Sequence, residues 1–248
     1  EVFSPACIYE RSNSPVREKE GLKQTKGVLF GTLDPALTIT ENGLKLHIDL
    51  ENGQKTGYFL DQKENRAAIR RYAKGKKVLD CFSNQGGFSL NAALAGAKEV
   101  IATDISETAL ASVRENAEMN GLSNVKTLRA DVFDLLREYH RKGERFDLIV
   151  LDPPAFTKSK DTVKEGYKGY LDINALALKL LPRGGTLVTC SCSQHLTLPL
   201  FLKMLSEASD HAGVRVKLAE LRVQSPDHAA ILTMDETLYL KAAILSVL

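Results

Sequence analysis

From residue 76 onward the chain alternates short apolar strands with helical segments, and this alternation constrains the fold more than any other feature. Val78–Phe82, Glu99–Asp104, Val125–Ala130, Phe146–Leu151, Thr186–Cys190, Val214–Ala219 and Leu238–Leu245 read as seven strands. The middle ones are continuous apolar runs, as expected of parallel strands covered on both faces. A helix is expected after Ser106, burying Leu110, Val113 and Ala117 and stopping at Asn120-Gly121. Another, rich in leucine and alanine, covers 171–181. No clear helix separates the last two strands. The pattern predicts a doubly wound α/β sheet of seven strands, mostly parallel, with the last strand antiparallel.

The first 75 residues read differently. Val28, Leu29 and Phe30 form a short apolar run, and Leu44, Leu46, Ile48 and Leu50 alternate with polar residues between Asn42-Gly43 and Asn52-Gly53. Asn-Gly is the strongest short hairpin signal. Asp61 and Glu64 stand at capping-box spacing before Ala67, Ala68, Ile69 and Tyr72, which predicts a helix. Residues 1–75 are therefore expected to form a small β-rich α+β module with a linking helix, and 76–248 the α/β domain. A length of 248 residues, at roughly 150 per domain, leaves room for both. The chain opens Glu1-Val2-Phe3 without methionine or a signal-peptide pattern, and reads as a piece of something longer. No apolar run approaches the roughly 18 residues of a membrane span. Four cysteines are too sparse for a disulfide scaffold or paired zinc motifs, so no metal is expected and a reduced, cytoplasmic setting is. The net charge of +2 neither requires nor forbids a nucleic acid.

In doubly wound sheets ligands bind outside the carboxyl ends of the strands. The first such end reads Asp80-Cys81-Phe82-Ser83-Asn84-Gln85-Gly86-Gly87-Phe88, where two glycines let backbone amides approach a ligand at a helix start. It is not G-x-G-x-x-G, which argues against a nicotinamide-linked oxidoreductase. Asp104, ending the second strand, can accept from both ribose hydroxyls of an adenosine-containing ligand. Asp131, after the third, can accept from an adenine amino group. Together the three ends point to an adenosine cofactor. The fourth strand ends Leu151-Asp152-Pro153-Pro154-Ala155-Phe156, and the two prolines stiffen the loop that presents the carboxylate. Phe156 can stack on a base or pack the loop. This D-P-P resembles the S-adenosylmethionine-dependent methyltransferases acting on flat nitrogen-containing substrates. The fifth strand ends Thr189-Cys190-Ser191-Cys192-Ser193, and adjacency of strands four and five would bring Asp152 and Cys192 to one rim. A thiolate adding at carbon 6 of cytosine makes carbon 5 nucleophilic. Cys190, one strand period deeper, reads as core.

The segments Lys55–Gln62, Asp80–Phe88, Leu151–Phe156, Gly169–Asn174 and Ser191–Ser193 together resemble the RlmI-type 5-methylcytosine methyltransferases of large-subunit ribosomal RNA, in matching order over nearly the whole chain. The resemblance implies a Rossmann-like class I methyltransferase domain behind a small module, with an RNA-binding PUA domain usual before that module and absent from this sequence. It implies Cys192 as nucleophile and Asp152 as the group holding the cytosine ring nitrogen. It further implies S-adenosylmethionine held by Gln62, Phe82, Asn84, Gly86, Gly87, Asp104, Ile105, Asp131, Val132 and Asp152, and substrate contacts from Pro153, Pro154, Phe156 and Tyr170. Ala155 stands where many members carry a larger polar residue. The implied partner is large-subunit ribosomal RNA, and a homodimer is compatible with it.

Arg66, Arg70, Arg71, Lys74, Lys76 and Lys77 form a basic cluster that could meet phosphates or line a solvated helix face. Lys158, Lys160, Lys164 and Lys168 follow D-P-P and could touch RNA. His195 reads as a helix-start residue. Two other functions remain open: methylation of a purine nitrogen without a covalent adduct, and a non-catalytic cofactor-binding factor in ribosome assembly.

Overall fold

The computed structural model describes residues 4–53, 57–157 and 160–248. Glu1, Val2, Phe3, Lys55, Thr56, Lys158 and the side chain of Lys160 lie outside the described residues. The chain divides into two compact units, Glu1–Phe59 and Leu60–Leu248, so residues 60–75 belong to the second.

In the first unit, strand β1 (Cys7–Ser12), the short helix α1 (Val16–Lys19) and strand β2 (Thr25–Gly31) build an antiparallel pair. Val28, Leu29 and Phe30 lie on β2 but are exposed rather than core. Strands β3 (Thr38–Glu41) and β4 (Leu44–His47) form the expected hairpin. Its turn, Asn42-Gly43, has φ of 54° and 77°, the two positive values a tight hairpin needs. Leu44, Leu46 and Ile48 are buried on one face, as their alternation requires. At Asn52-Gly53, Asp49 accepts from the amides of Glu51 and Asn52 and closes a local turn, and no second hairpin is found among the described residues.

The second unit opens with helices α2 (Lys63–Ala68) and α3 (Arg70–Ala73). The anticipated capping box does not form. Asp61 instead accepts a 2.7 Å bond from the Tyr239 hydroxyl, and Gln62 precedes α2 without a side-chain cap. There follow β5 (Lys77–Cys81), α4 (Gly87–Leu94), β6 (Glu99–Asp104), α5 (Glu107–Met119), β7 (Val125–Arg129), α6 (Val132–Lys142), β8 (Leu148–Leu151), α7 (Val163–Lys179), β9 (Thr186–Ser191), α8 (Leu198–Ala212), β10 (Val216–Arg222) and β11 (Lys241–Val247). Ser106 accepts from the Ala109 amide at the start of α5, and Gly121, just past its end, is left-handed.

The sheet order is β10-β11-β9-β8-β5-β6-β7, parallel throughout except β11, which runs antiparallel to both neighbours. This is the seven-stranded α/β sheet the sequence pattern predicts. Successive residues of each strand feed opposite cores. Leu79, Ile149, Leu151, Leu187 and Leu245 pack against Tyr170, Ile173, Leu178, Phe201 and Met204 on one side. Val78, Val100, Leu148, Val150, Val188, Cys190 and Ile244 pack against Ile69, Phe88 and Ala92 on the other. The chain winds outward from β5 to β7, then crosses back to β8 on the other side of β5. That reversal opens a crevice at the carboxyl ends of β5 and β8, where such sheets bind ligands.

The six basic residues between 66 and 77 do not form one solvated patch. Arg66 is buried, Arg70 donates to Asn91, Arg71 to both oxygens of Glu220, and Lys77 to Glu144; Lys74 and Lys76 remain exposed. Lys164 and Lys168 are exposed on α7.

Candidate active site

The crevice has two walls. The first is the loop from β5 into α4. Phe82, Asn84 and Gly86 all have positive φ, at 61°, 48° and 84°. Asparagine and glycine tolerate this, but a left-handed phenylalanine is strained by about 1–3 kcal/mol, a cost characteristic of functional loops. The contortion lets the Asn84 amide donate to Asp104 at 3.0 Å, while the Ser106 amide holds the other carboxylate oxygen at 2.9 Å. An ionised carboxylate offers about four acceptor sites, so Asp104 is fixed in orientation with capacity to spare. Asp131 caps α6 through one oxygen, accepting from Phe133 and Asp134, and among the described residues its other oxygen accepts no hydrogen bond. Ile105 is exposed nearby, whereas Val132 and Gly87 are buried.

Beneath the loop, Asp80 is 1 % exposed. One oxygen accepts from the Ser89 amide and hydroxyl; the other is buried with no partner. Burial pushes its carboxyl up to about 7, and the charges of Asp152 and Asp104 push the same way. An orphaned carboxylate oxygen under an amide-rich loop, between two acids at strand ends, suits a ligand that carries an adenosine at one end and an ammonium at the other. A Cβ on Gly86 would come within 3.1 Å of Val113 in a left-handed backbone. Gly86→Ala is therefore expected to weaken S-adenosylmethionine binding about tenfold or more, on the order of 1.4 kcal/mol; calorimetric titration checks it, and an unchanged affinity would exclude this loop as the cradle.

The second wall follows β8 and β9, which pair in parallel with Leu151 opposite Thr189. That register carries Asp152 and Cys192 to the same edge. Asp152 is held by the Gln62 amide at 3.0 Å. Behind it a relay runs through Asn65, which donates to Gln62 at 2.7 Å and accepts from Arg222 at 3.0 Å. Burial raises the Asp152 carboxyl to about 6, with Asp61 adding and with Arg66 and the Gln62 bond opposing. Pro153 is buried and Pro154 exposed. Phe156 packs against three rings, Tyr170 at 4.6 Å, Phe133 at 5.9 Å and Phe82 at 6.4 Å between centroids. Tyr170 has no exposed surface. Its hydroxyl meets Ser193 Oγ at 2.9 Å, and the Thr157 amide donates to the same oxygen. Ser193 thus ties the D-P-P loop and α7 to the turn bearing Cys192. Cys192 itself is half-buried, whereas Cys190 is fully buried and its thiol is pushed well up by burial. His195 lies in the turn before α8, half-buried.

A family model described as S-adenosylmethionine-dependent methyltransferase matches residues 26–241. The chain belongs to that family. Among its relatives, the ribosomal RNA large subunit methyltransferase I of Aeromonas salmonicida is 49 % identical over 244 residues, covering 97 % of this chain and 62 % of the relative. The protein of the same name from Klebsiella pneumoniae strain 342 is 47 % identical, covering 97 % and 61 %. The chain thus spans about three-fifths of the length of these relatives. Of solved structures, a methyltransferase complexed with SAH aligns with a TM-score of 0.81 at 27 % identity, over 90 % of this chain and 59 % of that one. A SAM-dependent methyltransferase from Streptococcus mutans aligns with a TM-score of 0.79 at 28 % identity, over 90 % and 58 %.

In this member of the family several site residues escape a reading of motifs. Asn65 and Arg66 sit on α2 among Lys63, Glu64 and two alanines, yet both are buried, Asn65 bonded to Gln62 and Arg66 close enough for its charge to act on Asp152. Lys241 is 5 % exposed and donates to the carbonyls of Ser193 and Tyr239 at 2.7 and 2.8 Å. The signal available was a lysine opening an otherwise apolar strand, Lys241-Ala242-Ala243-Ile244-Leu245.

Proposed function

We propose that the protein methylates carbon 5 of a cytosine in large-subunit ribosomal RNA through a covalent adduct with Cys192. The observation that carries this reading is a half-exposed cysteine on the same rim as the acid of a D-P-P loop. The names of the relatives support ribosomal RNA as the substrate class. A cytoplasmic setting and an RNA partner go with the reading; a homodimer is compatible with it, and no helix among the described residues is long and apolar enough to cross a membrane.

Gly86, Asn84, Asp104 and Asp131 would hold the cofactor, and the unpartnered oxygen of Asp80 would suit its ammonium. Bound there, S-adenosylmethionine supplies an electrophilic methyl group on a sulfonium centre. The chain's own residues make the acceptor reactive. The Cys192 thiolate adds to carbon 6 as Asp152 gives a proton to the ring nitrogen, and the displaced π electrons make carbon 5 an enamine-like nucleophile. Asp152 takes that proton back once carbon 5 is methylated. Loss of the carbon-5 proton then restores the ring double bond and expels the thiolate.

RNA carrying 5-fluorocytosine lacks the proton whose loss frees the enzyme. Incubated with cofactor, it is expected to give a covalent protein–RNA complex stable to denaturing electrophoresis, with the cross-link at Cys192 by peptide mass mapping. Methylation of unmodified RNA without any trapped complex would favour transfer to a purine nitrogen. Cofactor binding with neither outcome would favour an assembly factor.

A further inference from the structure

Lys241 is a buried cation on this rim, on the Cys192 side, that the proposed chemistry leaves without a task. It opens β11 directly opposite Ser191 in the ladder with β9, and its ammonium donates to the carbonyl of Ser193. The contacts therefore fall on both residues flanking Cys192. The ammonium has three protons, of which two go to the carbonyls of Ser193 and Tyr239. Among the described residues no carboxylate pairs with it. An ammonium buried without a counterion is costly, and the site must either neutralise it or supply a negative charge.

We propose that Lys241 is a positioning residue whose ammonium serves as the counterion of the Cys192 thiolate, holding the sulfur anionic at neutral pH. The inference rests on Cys192 being the nucleophile of the proposed reaction. Burial lowers the Lys241 ammonium to about 8, and the charge of Cys192 works in the opposite direction, so the two groups sense each other. Three further groups that feel the charge of Cys192, Tyr170, Cys190 and Tyr239, hold their protons near pH 7. Burial raises Tyr170 on α7 and Cys190 on β9, and burial together with Asp61 raises Tyr239 ahead of β11. The acids one step further out, Asp152 beside Cys190 and Asp61 and Asp227 beside Tyr239, oppose an anion on the sulfur. The Lys241 ammonium, by contrast, favours an anion there. Below about pH 8 Lys241 keeps its proton and its support for the thiolate; above that the support fades while the thiol ionises unaided.

The test is the alkylation rate of Cys192 by iodoacetamide from about pH 5.5 to about pH 9.5, read by peptide mass spectrometry on the wild-type chain, Lys241→Gln and Lys241→Arg. Glutamine keeps donors for the carbonyls and removes the charge; arginine restores the charge. The midpoint for Lys241→Gln should lie about one pH unit or more above wild type, roughly a tenfold slower reaction on the acid side, and Lys241→Arg should recover most of the difference. Cys7, in the other unit, is the internal control, and its rate should not change. Coincident profiles for wild type and Lys241→Gln would overturn the proposal, as would a shift that arginine fails to reverse. Because no methyl transfer is read, a shifted profile alongside failed fluorocytosine trapping would sink the cytosine reading while leaving the ion pair standing.

Discussion

Replacing Cys192 by serine should reduce methyl transfer to unmodified ribosomal RNA by about 10³-fold or more, on the order of 4 kcal/mol of transition-state stabilisation. A serine hydroxyl at neutral pH is a far weaker nucleophile than a thiolate. Cofactor affinity should stay within about twofold, because the left-handed loop at 82–86 and the acids at 104 and 131 belong to the other wall of the crevice. Methyl incorporation and calorimetry on the same preparation separate the two effects. A serine variant that keeps a tenth of wild-type turnover would remove the covalent step from the mechanism.

The second large effect is expected for Asp152→Asn. The carboxyl titrates near 6 because burial raises it, so it can carry a proton close to neutrality. If the protonated form gives its proton to the ring nitrogen, it contributes a limb of kcat/KM that falls as pH rises through about 6. Asparagine can still donate a hydrogen bond to that nitrogen but has no proton to hand over. Turnover should drop about 10²- to 10⁴-fold, and the limb near pH 6 should vanish while the thiolate limb persists. The Gln62 amide that now donates to Asp152 can donate equally to an asparagine carbonyl, so the fold should tolerate the change. An unchanged limb in the variant would assign that titration to another group.

Much of the fold was legible because its determinants are local or periodic. Strands such as Leu148–Leu151, covered on both faces, spell themselves out as unbroken apolar runs. Ser106 and Asn42-Gly43 announce a helix start and a hairpin through backbone preferences that need no distant partner. Asp152 and Cys192 could be picked out because strand ends, once counted, define the rim. What stayed hidden depends on distant pairing. Asp61 looks like a helix cap until Tyr239 claims its carboxylate. Arg66 looks like part of a solvated face until α2 lays it beside Asp152. Lys241 belongs to no motif, and only the pairing of β11 with β9 shows that it is buried.

The antiparallel setting of β11 has a consequence for assembly. Six strands deliver their carboxyl ends or neighbouring turns in step with synthesis, but β11 comes after all of them in sequence and is inserted between β9 and β10. Running the opposite way, it delivers its beginning to the rim, and Lys241 with it. A growing chain can form much of the cofactor wall early, since β5 to β7 and their helices are contiguous in sequence. The wall that bears Cys192 stays incomplete until the last strand of the sheet is made and docked. A polypeptide stalled or cleaved before β11 would therefore lack the strand that completes the rim bearing Cys192. Catalytic competence is in this way tied to completion of the sheet.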